Sequence, residues 1–271
     1  MKRSQLAINS VSTQGTLEEK LSAYAAAGFT NVEFALGNVY DTMKEGRTVA
    51  DVKRLLDANG HRCIGGFETG VAGFGSEEQR EQNWGRNADN ARLLAELGGT
   101  ILVVGTDGPS SPDEDPLGTL ADAFAQVGKR IEDTGVTVCI EFNWSPLVKS
   151  LRSAVEVARR SGASNVGVLF DPAHYHCTPS KFDQISAESV PFIRHVHVDD
   201  MRDKPGELSN CNSDRVLPGQ GCLDLRSIFG ELDRHGYTGY YSIEMFNEDL
   251  WKLPAADAAR RMYESLLTLC D

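Results

Sequence analysis

The stretch EDTGVTVCIE (residues 132–141) contains the pattern that decides the fold. A helical segment ends at a glycine, and the apolar run that follows closes on an acidic residue. Glycine adopts the left-handed conformation that ends helices without a Cβ penalty, so Gly135 marks the passage from helix to strand. The helix-ending glycine followed by a strand-like run recurs in AAAGFTNVEF (25–34), DANGHRCIGG (57–66), AELGGTILVV (95–104), RSGASNVGVLF (160–170) and DRHGYTGYYSIE (233–244). Such repetition indicates a chain that alternates between helices and strands.

The spacing of these glycines predicts eight strand–helix units. The interval from Gly162 to Gly236 is 74 residues, or two units of 37, so one junction near SAESVPFIRH (186–195) lacks its glycine. Eight units predict a closed (β/α)8 TIM barrel of the α/β class, formed by one domain over residues 1–271. An open doubly wound sheet is disfavoured, because LAINSVSTQGTLEE (6–19) has no G-x-G-x-x-G phosphate loop.

Helix starts agree with this division of the chain. Thr16 and Glu19 form a capping-box pattern, and Thr48 can cap the next helix. We predict strands at 6–9, 31–34, 62–66, 100–104, 136–141, 165–170, 192–197 and 239–244. We predict helices at 16–27, 48–59, 77–96, 115–134, 148–160, 180–188, 223–235 and 255–269.

Composition narrows the class of protein. The chain has 271 residues, of which 41% are hydrophobic, enough for one barrel core. No apolar run approaches the roughly 18–20 residues of a membrane span, and MKRSQLAINS lacks a secretory signal, so we expect a cytoplasmic protein with no membrane partner. A formal charge of -12 disfavours nucleic acid as a partner. The six cysteines include no C-x-x-C pair, so we predict neither disulfides nor a thiolate metal site. A homo-oligomer is compatible with the sequence.

Four acidic or imidazole side chains each lie at the end of one of four successive apolar runs. Glu141 ends VTVCIE, Asp171 ends NVGVLFD, His197 ends FIRHVH and Glu244 ends YYSIE. Because the carboxyl ends of barrel strands meet at one face, these side chains are expected to converge there. Three carboxylates and an imidazole predict a site for one divalent cation, with Mn²⁺ favoured and Co²⁺, Mg²⁺ or Zn²⁺ as alternatives.

Such a site predicts proton-transfer chemistry. A bound dication polarises a ketone and makes the neighbouring C–H acidic. Glu141 or Glu244 can then remove that proton to give a metal-bound cis-enediolate. Return of the proton to the other carbon moves the ketone by one position, whereas return to the opposite face inverts a centre. The strand ends that carry the two glutamates are predicted to face each other across the barrel mouth, so both outcomes are open.

Several motifs carry a resemblance to a known family. These motifs are EFN (141–143), DPAH (171–174), HVHVDD (195–200), DRVLPGQG (214–221) and SIEMF (242–246). With them the chain resembles the xylose-isomerase-like TIM-barrel sugar isomerase/epimerase superfamily, and within it the 2-keto-myo-inositol (inosose) isomerases. The resemblance implies that Glu141, Asp171, His197 and Glu244 bind one metal, with the two glutamates also transferring protons. It further implies that His174 and Arg215 hold substrate hydroxyls.

Other polar and aromatic residues near the strand ends are predicted to contact the substrate. Glu33 closes the second strand on the same face, and His176 lies in the loop after the sixth strand. Trp144 belongs to an aromatic group that can exclude water and pack against a sugar ring.

Two residues that flank His197 have predicted structural roles. We predict that His195 lies on the opposite side of the strand from His197, as a buried imidazole. Asp200, three residues beyond His197, is expected to orient a metal ligand.

These observations predict a divalent-metal-dependent isomerase of a keto-sugar or an inosose-type keto-cyclitol. The alternatives are a ketose 3-epimerase and a dehydratase or lyase that acts on a keto-sugar or 3-keto-glycoside. A sugar-binding or metal-storage barrel without turnover is the non-enzyme alternative.

Overall fold

The computed structural model describes residues 1–270, and in it eight parallel strands close into one barrel. The fold prediction is confirmed: this is a single (β/α)8 TIM barrel. The barrel strands are β1 (Leu6–Asn9), β2 (Asn31–Ala35), β3 (Arg62–Phe67), β4 (Ile101–Val104), β5 (Thr137–Glu141), β6 (Val166–Phe170), β7 (Ile193–Val198) and β10 (Tyr241–Ile243). Between β7 and β10 the chain forms a small antiparallel pair of β8 (Asp200–Met201) and β9 (Arg215–Val216).

The helices lie in the connections between these strands and after the last strand. They are α1 (Leu17–Ala27), α2 (Leu36–Lys44), α3 (Val49–Ala58), α4 (Glu77–Leu97), α5 (Pro116–Arg130), α6 (Leu151–Ser161), α7 (Pro172–His176), α8 (Leu225–Arg234), α9 (Glu248–Trp251) and α10 (Ala255–Leu267). Short 3-10 turns occupy Arg3–Gln5, Ser10–Ser12, Phe182–Gln184, Val190–Phe192 and Gly206–Leu208.

The local signals that divided the sequence are present in the structure. All six junction glycines have a positive φ, from 66° at Gly162 to 108° at Gly28. Thr16 accepts a hydrogen bond from the Glu19 amide, and the Glu19 carboxylate accepts one from Thr16 in return. Thr48 caps its helix in the same way.

One predicted helix is wrong and three short helices were missed. Residues 180–188 contain a 3-10 turn and no α-helix, because Pro179 and Pro191 bracket a serine-rich segment with few apolar residues to bury. The helix that follows β6 is instead α7, which begins at Pro172 beneath the cap formed by Asp171. Besides α7, the missed helices are α2 and α9, both short extra elements after strand ends.

The hydrophobic core forms two layers. The larger lies between the barrel and its helices, and the smaller contains Ile101, Val103, Cys139 and Leu169. Side chains alternate along a strand, and Leu102 and Val104 belong to the larger layer, so the smaller cluster lies inside the barrel.

Two expectations from composition concern membrane-spanning segments and the state of the cysteines. Within residues 1–270, no helix has both the length and the apolar character needed to cross a membrane. Cys63 and Cys139 are buried thiols outside any disulfide, and burial raises the pKa of Cys63 to about 12.

Candidate metal centre

The four predicted metal ligands come together at the carboxyl end of the barrel. Their strands, β5, β6, β7 and β10, are neighbours in the closed ring. Pairing of Leu169 with His195 and of Ser242 with His197 sets the register that brings the strand ends level. One ligand atom from each side chain lies within 4.8 Å of the other three, in the group Glu141, Asp171, His197 and Glu244.

His197 joins this group to a second cluster below it. Its Nδ1 lies 3.2 Å from Oε2 of Glu244 and 3.6 Å from Oδ2 of Asp171, yet it makes no well-aligned hydrogen bond. Its Nε2 lies 3.1 Å from both carboxylate oxygens of Glu33. The imidazole therefore directs one nitrogen into the ligand group and the other towards the barrel interior.

Arg215 compensates the charge of the ligand carboxylates. Its guanidinium donates to Oδ2 of Asp171 at 2.9 Å and to Oε2 of Glu244 at 3.0 Å. It also lies 2.9 Å from Oδ2 of Asp199, and its side chain is fully buried. Burial alone would raise the pKa of Asp171, but the charges of Arg215 and the nearby histidines hold that pKa below its usual range.

The remaining ligand, Glu141, is held by a histidine. Nε2 of His174 lies 3.0 Å from Oε1 of Glu141, and Nδ2 of Asn143 lies 3.0 Å from the other ring nitrogen. Burial lowers the pKa of His174, but Asp171 and Glu141 raise it well above its usual range. Burial likewise lowers the pKa of His197, but the charges of Glu244 and Glu33 raise it well above its usual range. Both shifts arise because carboxylates surround the imidazoles, and a cation bound among those carboxylates would offset part of their charge.

A cavity of about 310 Å³ opens onto the site. Glu141, His174 and Glu244 present their polar edges to it, whereas aromatic rings form much of the remaining wall. Trp144 packs edge-on against Phe67 with 6.1 Å between ring centroids. The complete lining is Phe67, Glu141, Asn143, Trp144, His174, Cys211, Asn212, Glu244 and Phe246.

The structure separates the predicted substrate contacts into three groups. His174 and Trp144 line the cavity, and their contact with substrate stays a prediction. Arg215 and Glu33 are fully buried behind the ligand carboxylates and His197. His176 lies outside the cavity lining, and its Nε2 is 2.9 Å from the carbonyl oxygen of Lys204.

The two structural predictions around His197 need correction. His195 lies on the same side of β7 as His197, because residues two apart on a strand share a face, and both imidazoles contact Glu33. His195 is buried, as predicted. Asp200 does not orient a ligand: it accepts hydrogen bonds from the amides of Gly219, Gly221 and Leu223 and so shapes the loop.

Other site residues were missed in the sequence. Asp199 lies two residues beyond His197 and therefore on its side of the chain, a spacing that would have identified it. Asn143 has a φ of 74°, which directs its amide towards His174, but a positive φ cannot be read from the sequence. Cys211 and Asn212 reach the cavity from the long segment before β9, which has no periodic pattern.

The residues present fit a divalent cation. Three carboxylates and one imidazole offer mostly hard oxygen donors, and a buried imidazole nitrogen without a well-aligned hydrogen bond points among them. Mn²⁺, Co²⁺, Mg²⁺ and Zn²⁺ all accept mixed oxygen and nitrogen ligands of this kind.

Comparison with known proteins identifies related sequences. A family model described as xylose isomerase-like TIM barrel matches residues 21–268. A 3-dehydroshikimate dehydratase from Pseudomonas aeruginosa is 29% identical over 277 residues, which cover 98% of this chain and 42% of that protein. An inosose isomerase from Bacillus velezensis is 30% identical over 148 residues, which cover 54% of this chain and 52% of that protein. The matches therefore span only about half of these relatives' lengths.

Solved structures resemble the chain in fold. The IOLI protein with a bound zinc atom has a TM-score of 0.88 at 20% identity, covering 98% of this chain and 97% of that chain. A D-allulose 3-epimerase from Methylomonas sp. in complex with D-allulose has a TM-score of 0.77 at 15% identity, covering 99% of this chain and 98% of that chain.

Proposed function

The chain belongs to the xylose isomerase-like TIM barrel family, and on that premise we propose that it is a divalent-metal-dependent isomerase of a keto-sugar or keto-cyclitol. An inosose is the leading substrate. The observation that carries the proposal is that Glu141 and Glu244 belong to the ligand group and also line one cavity. The proposal keeps a small-molecule substrate and a cytoplasmic location, as the sequence predicts.

Glu141, Asp171, His197 and Glu244 would hold the cation. When bound, it would stabilise negative charge that develops on the ketone oxygen of the substrate. The protein supports this set from behind: Nδ2 of Asn9 donates to Oε1 of Glu244 at 3.1 Å, and Arg215 donates to the other oxygen. Such contacts fix the direction in which the Glu244 carboxylate faces the cavity.

The two glutamates would divide the proton transfers. One carboxylate takes a proton from the carbon next to the ketone, which leaves an enediolate. A proton delivered to the former ketone carbon, with transfer of the neighbouring hydroxyl proton to the former ketone oxygen, then places the carbonyl on that neighbour. Glu141 and Glu244 extend from strands three places apart in the ring, so they approach a bound ring from different directions. His174 would hold Glu141 through their 3.0 Å contact, and the aromatic wall would exclude water.

A second candidate is elimination from the same enediolate. The match to a 3-dehydroshikimate dehydratase covers 98% of this chain, whereas that to an inosose isomerase covers 54%. Phe246 and Asn212 also border an adjacent cavity of about 470 Å³, which offers room for the glycosyl group of a 3-keto-glycoside. Loss of a β-hydroxyl or glycosyl group would then give an alkene. The third alternative, 3-epimerisation, would return the proton to the opposite face.

The decisive experiment is NMR of metal-loaded protein in deuterated water, with inososes, ketohexoses and 3-keto-glycosides as separate substrates. We expect solvent deuterium beside the carbonyl of one class, together with a shifted ketone. An alkene product would establish elimination, and an inverted centre would establish epimerisation. Binding of a ketose without exchange or product, in every class, would instead favour a sugar-binding barrel.

A further inference from the structure

A carboxylate lies inside the barrel beneath the candidate metal centre. Glu33 extends from β2, and its side chain is wholly inaccessible to solvent. It reaches β7, three places away in the ring, where its Oε2 is 3.1 Å from Nε2 of His195. Both its oxygens are also 3.1 Å from Nε2 of His197.

A charged side chain in this position is unfavourable unless its charge is paired. The barrel interior also holds the apolar cluster of Ile101, Val103, Cys139 and Leu169, and burial of a carboxylate costs several kcal/mol if it is unpaired. Glu33 does not line the cavity, so it has no contact with a substrate there. Its partners are two imidazoles, of which one belongs to the ligand group.

The orientation of the His197 ring explains why Glu33 lies against its Nε2 atom. An imidazole nitrogen that binds a cation cannot also carry a proton. Since Nδ1 faces Asp171 and Glu244, the proton of the neutral ring must lie on Nε2, where Glu33 accepts it. Carboxylates that accept from a ligating histidine fix both its tautomer and its ring orientation.

We propose that Glu33 is a positioning residue that sets His197 to bind a cation through Nδ1, and that His195 holds Glu33 in place from the same strand. The inference rests on the proposed metal centre. It assigns Glu33 a role other than the substrate contact that the sequence predicts. His195 contributes a second donor to the carboxylate, and its ring also packs edge-on against that of His197, with 5.4 Å between the centroids.

The test measures binding of Co²⁺ alone, without substrate. Glu33→Gln keeps the side-chain shape but replaces one acceptor oxygen with a donor that meets an N–H. We expect the dissociation constant for Co²⁺, from chelator competition, to rise about 10- to 100-fold. The visible spectrum of the bound Co²⁺ should also change, which loss of stability alone would not cause. His195→Gln, which preserves a donor towards Glu33, should have a smaller effect.

Glu68→Gln is the matched control. Glu68 directly follows β3 but pairs with Arg86 and Asn90, and it does not line the cavity. Its substitution should leave both Co²⁺ affinity and spectrum unchanged. A Glu33→Gln protein with affinity within about twofold of the wild type and an identical spectrum would overturn the positioning role.

Wild-type protein provides a test that does not depend on folding of the variant. Nitrogen-15 NMR of the histidine rings should show His197 protonated at Nε2 when Co²⁺ is replaced by diamagnetic Zn²⁺. Protonation at Nδ1 would overturn the inference. If wild-type protein binds neither ion, the metal centre itself is refuted, whereas normal binding with an insensitive Glu33→Gln variant refutes only the role of Glu33.

Discussion

Arg215 shows how single residues balance the charge of the site. Its guanidinium contacts carboxylate oxygens of Asp171, Asp199 and Glu244, each at 2.9 to 3.0 Å, while its Nε donates to the carbonyl of Cys211. A guanidinium presents its donors in a rigid planar fork, so one side chain can hold several acceptors in fixed directions. The surrounding carboxylates raise the pKa of Arg215 although burial lowers it, and the group stays charged. Arg215 therefore holds the carboxylates of Asp171 and Glu244 in fixed orientations.

Asp171→Asn should abolish tight metal binding and leave the barrel folded. Its Oδ1 accepts from the backbone amide of His174, and asparagine can keep that contact. The new amide nitrogen would meet Arg215 in place of Oδ2, so we expect a stability loss of about 1–3 kcal/mol. Metal affinity should fall by more than the roughly 100-fold upper range for outer contacts. Chelator competition and circular dichroism check both effects. A collapsed circular dichroism spectrum would show that Asp171 is structural.

Glu141→Gln and Glu244→Gln should each lower turnover by at least about 10²-fold at saturating metal, because each keeps an oxygen donor but loses its basicity. The measurement is product formation beside deuterium wash-in, once a substrate has been identified. A variant that exchanges deuterium but forms no product has lost the second proton transfer, so the other glutamate is the initial base. Near-normal turnover in both variants would remove the two-carboxylate mechanism and make His174 or water the candidate base.

At the scale of elements, helix ends decide where each strand begins. Helix α4 ends at Gly98, whose φ of 93° turns the chain towards β4. The same helix contains a second glycine, Gly85, within its regular interior. An added Cβ would meet no atom within 4 Å at either glycine. The pair therefore separates the effect of backbone conformation from that of packing.

Gly98→Ala should destabilise the protein by about 1 kcal/mol, because an L-residue pays that cost in the left-handed region. Gly85→Ala should stabilise it by up to about 1 kcal/mol, since alanine favours a helix interior. Urea unfolding of both variants measures the difference. Equal effects of the same sign would show that the conformation at Gly98 is not what ends α4.

At the scale of the molecule, buried carboxylates are concentrated towards the carboxyl end of the barrel. Glu33, Glu141, Asp171, Asp199 and Glu244 are all buried within a connected set of contacts. Burial and the negative charge of Asp171 raise the pKa of Asp199 above its usual range. A bound dication would add positive charge, so binding and folding stability should be linked.

Saturating divalent metal should therefore stabilise the whole barrel. At free metal 100 times its dissociation constant, the free energy of unfolding should rise by about 2.7 kcal/mol. For a chain of this size the melting temperature should then rise by roughly 5 to 10 °C. Thermal unfolding of chelator-treated protein with and without Mn²⁺ measures the change, and Asp171→Asn should not respond. An equal shift in that variant would place the stabilising ion elsewhere.

The sequence by itself determined the barrel and its candidate ligands, because both depend on local signals. A glycine cap before an apolar run marks a junction wherever it occurs, and a polar residue that closes such a run must lie at the strand's carboxyl end. Glu141, Asp171, His197 and Glu244 all follow from that rule. Where local signals were weak, as in the serine-rich segment 180–188, the assignment of a helix was wrong.

Only the tertiary structure decided which residues contact and orient those candidate ligands. Glu33 and His195 are 162 residues apart, and Arg215 and Asp171 are 44 apart, so their contacts depend on ring closure and strand register. The sequence predicts that Glu33 closes a strand, but β2 continues to Ala35, so Glu33 lies in the middle of that strand, with its side chain directed inward to His197. Ring closure and register bring such distant side chains to one point, and neither is encoded in any single segment.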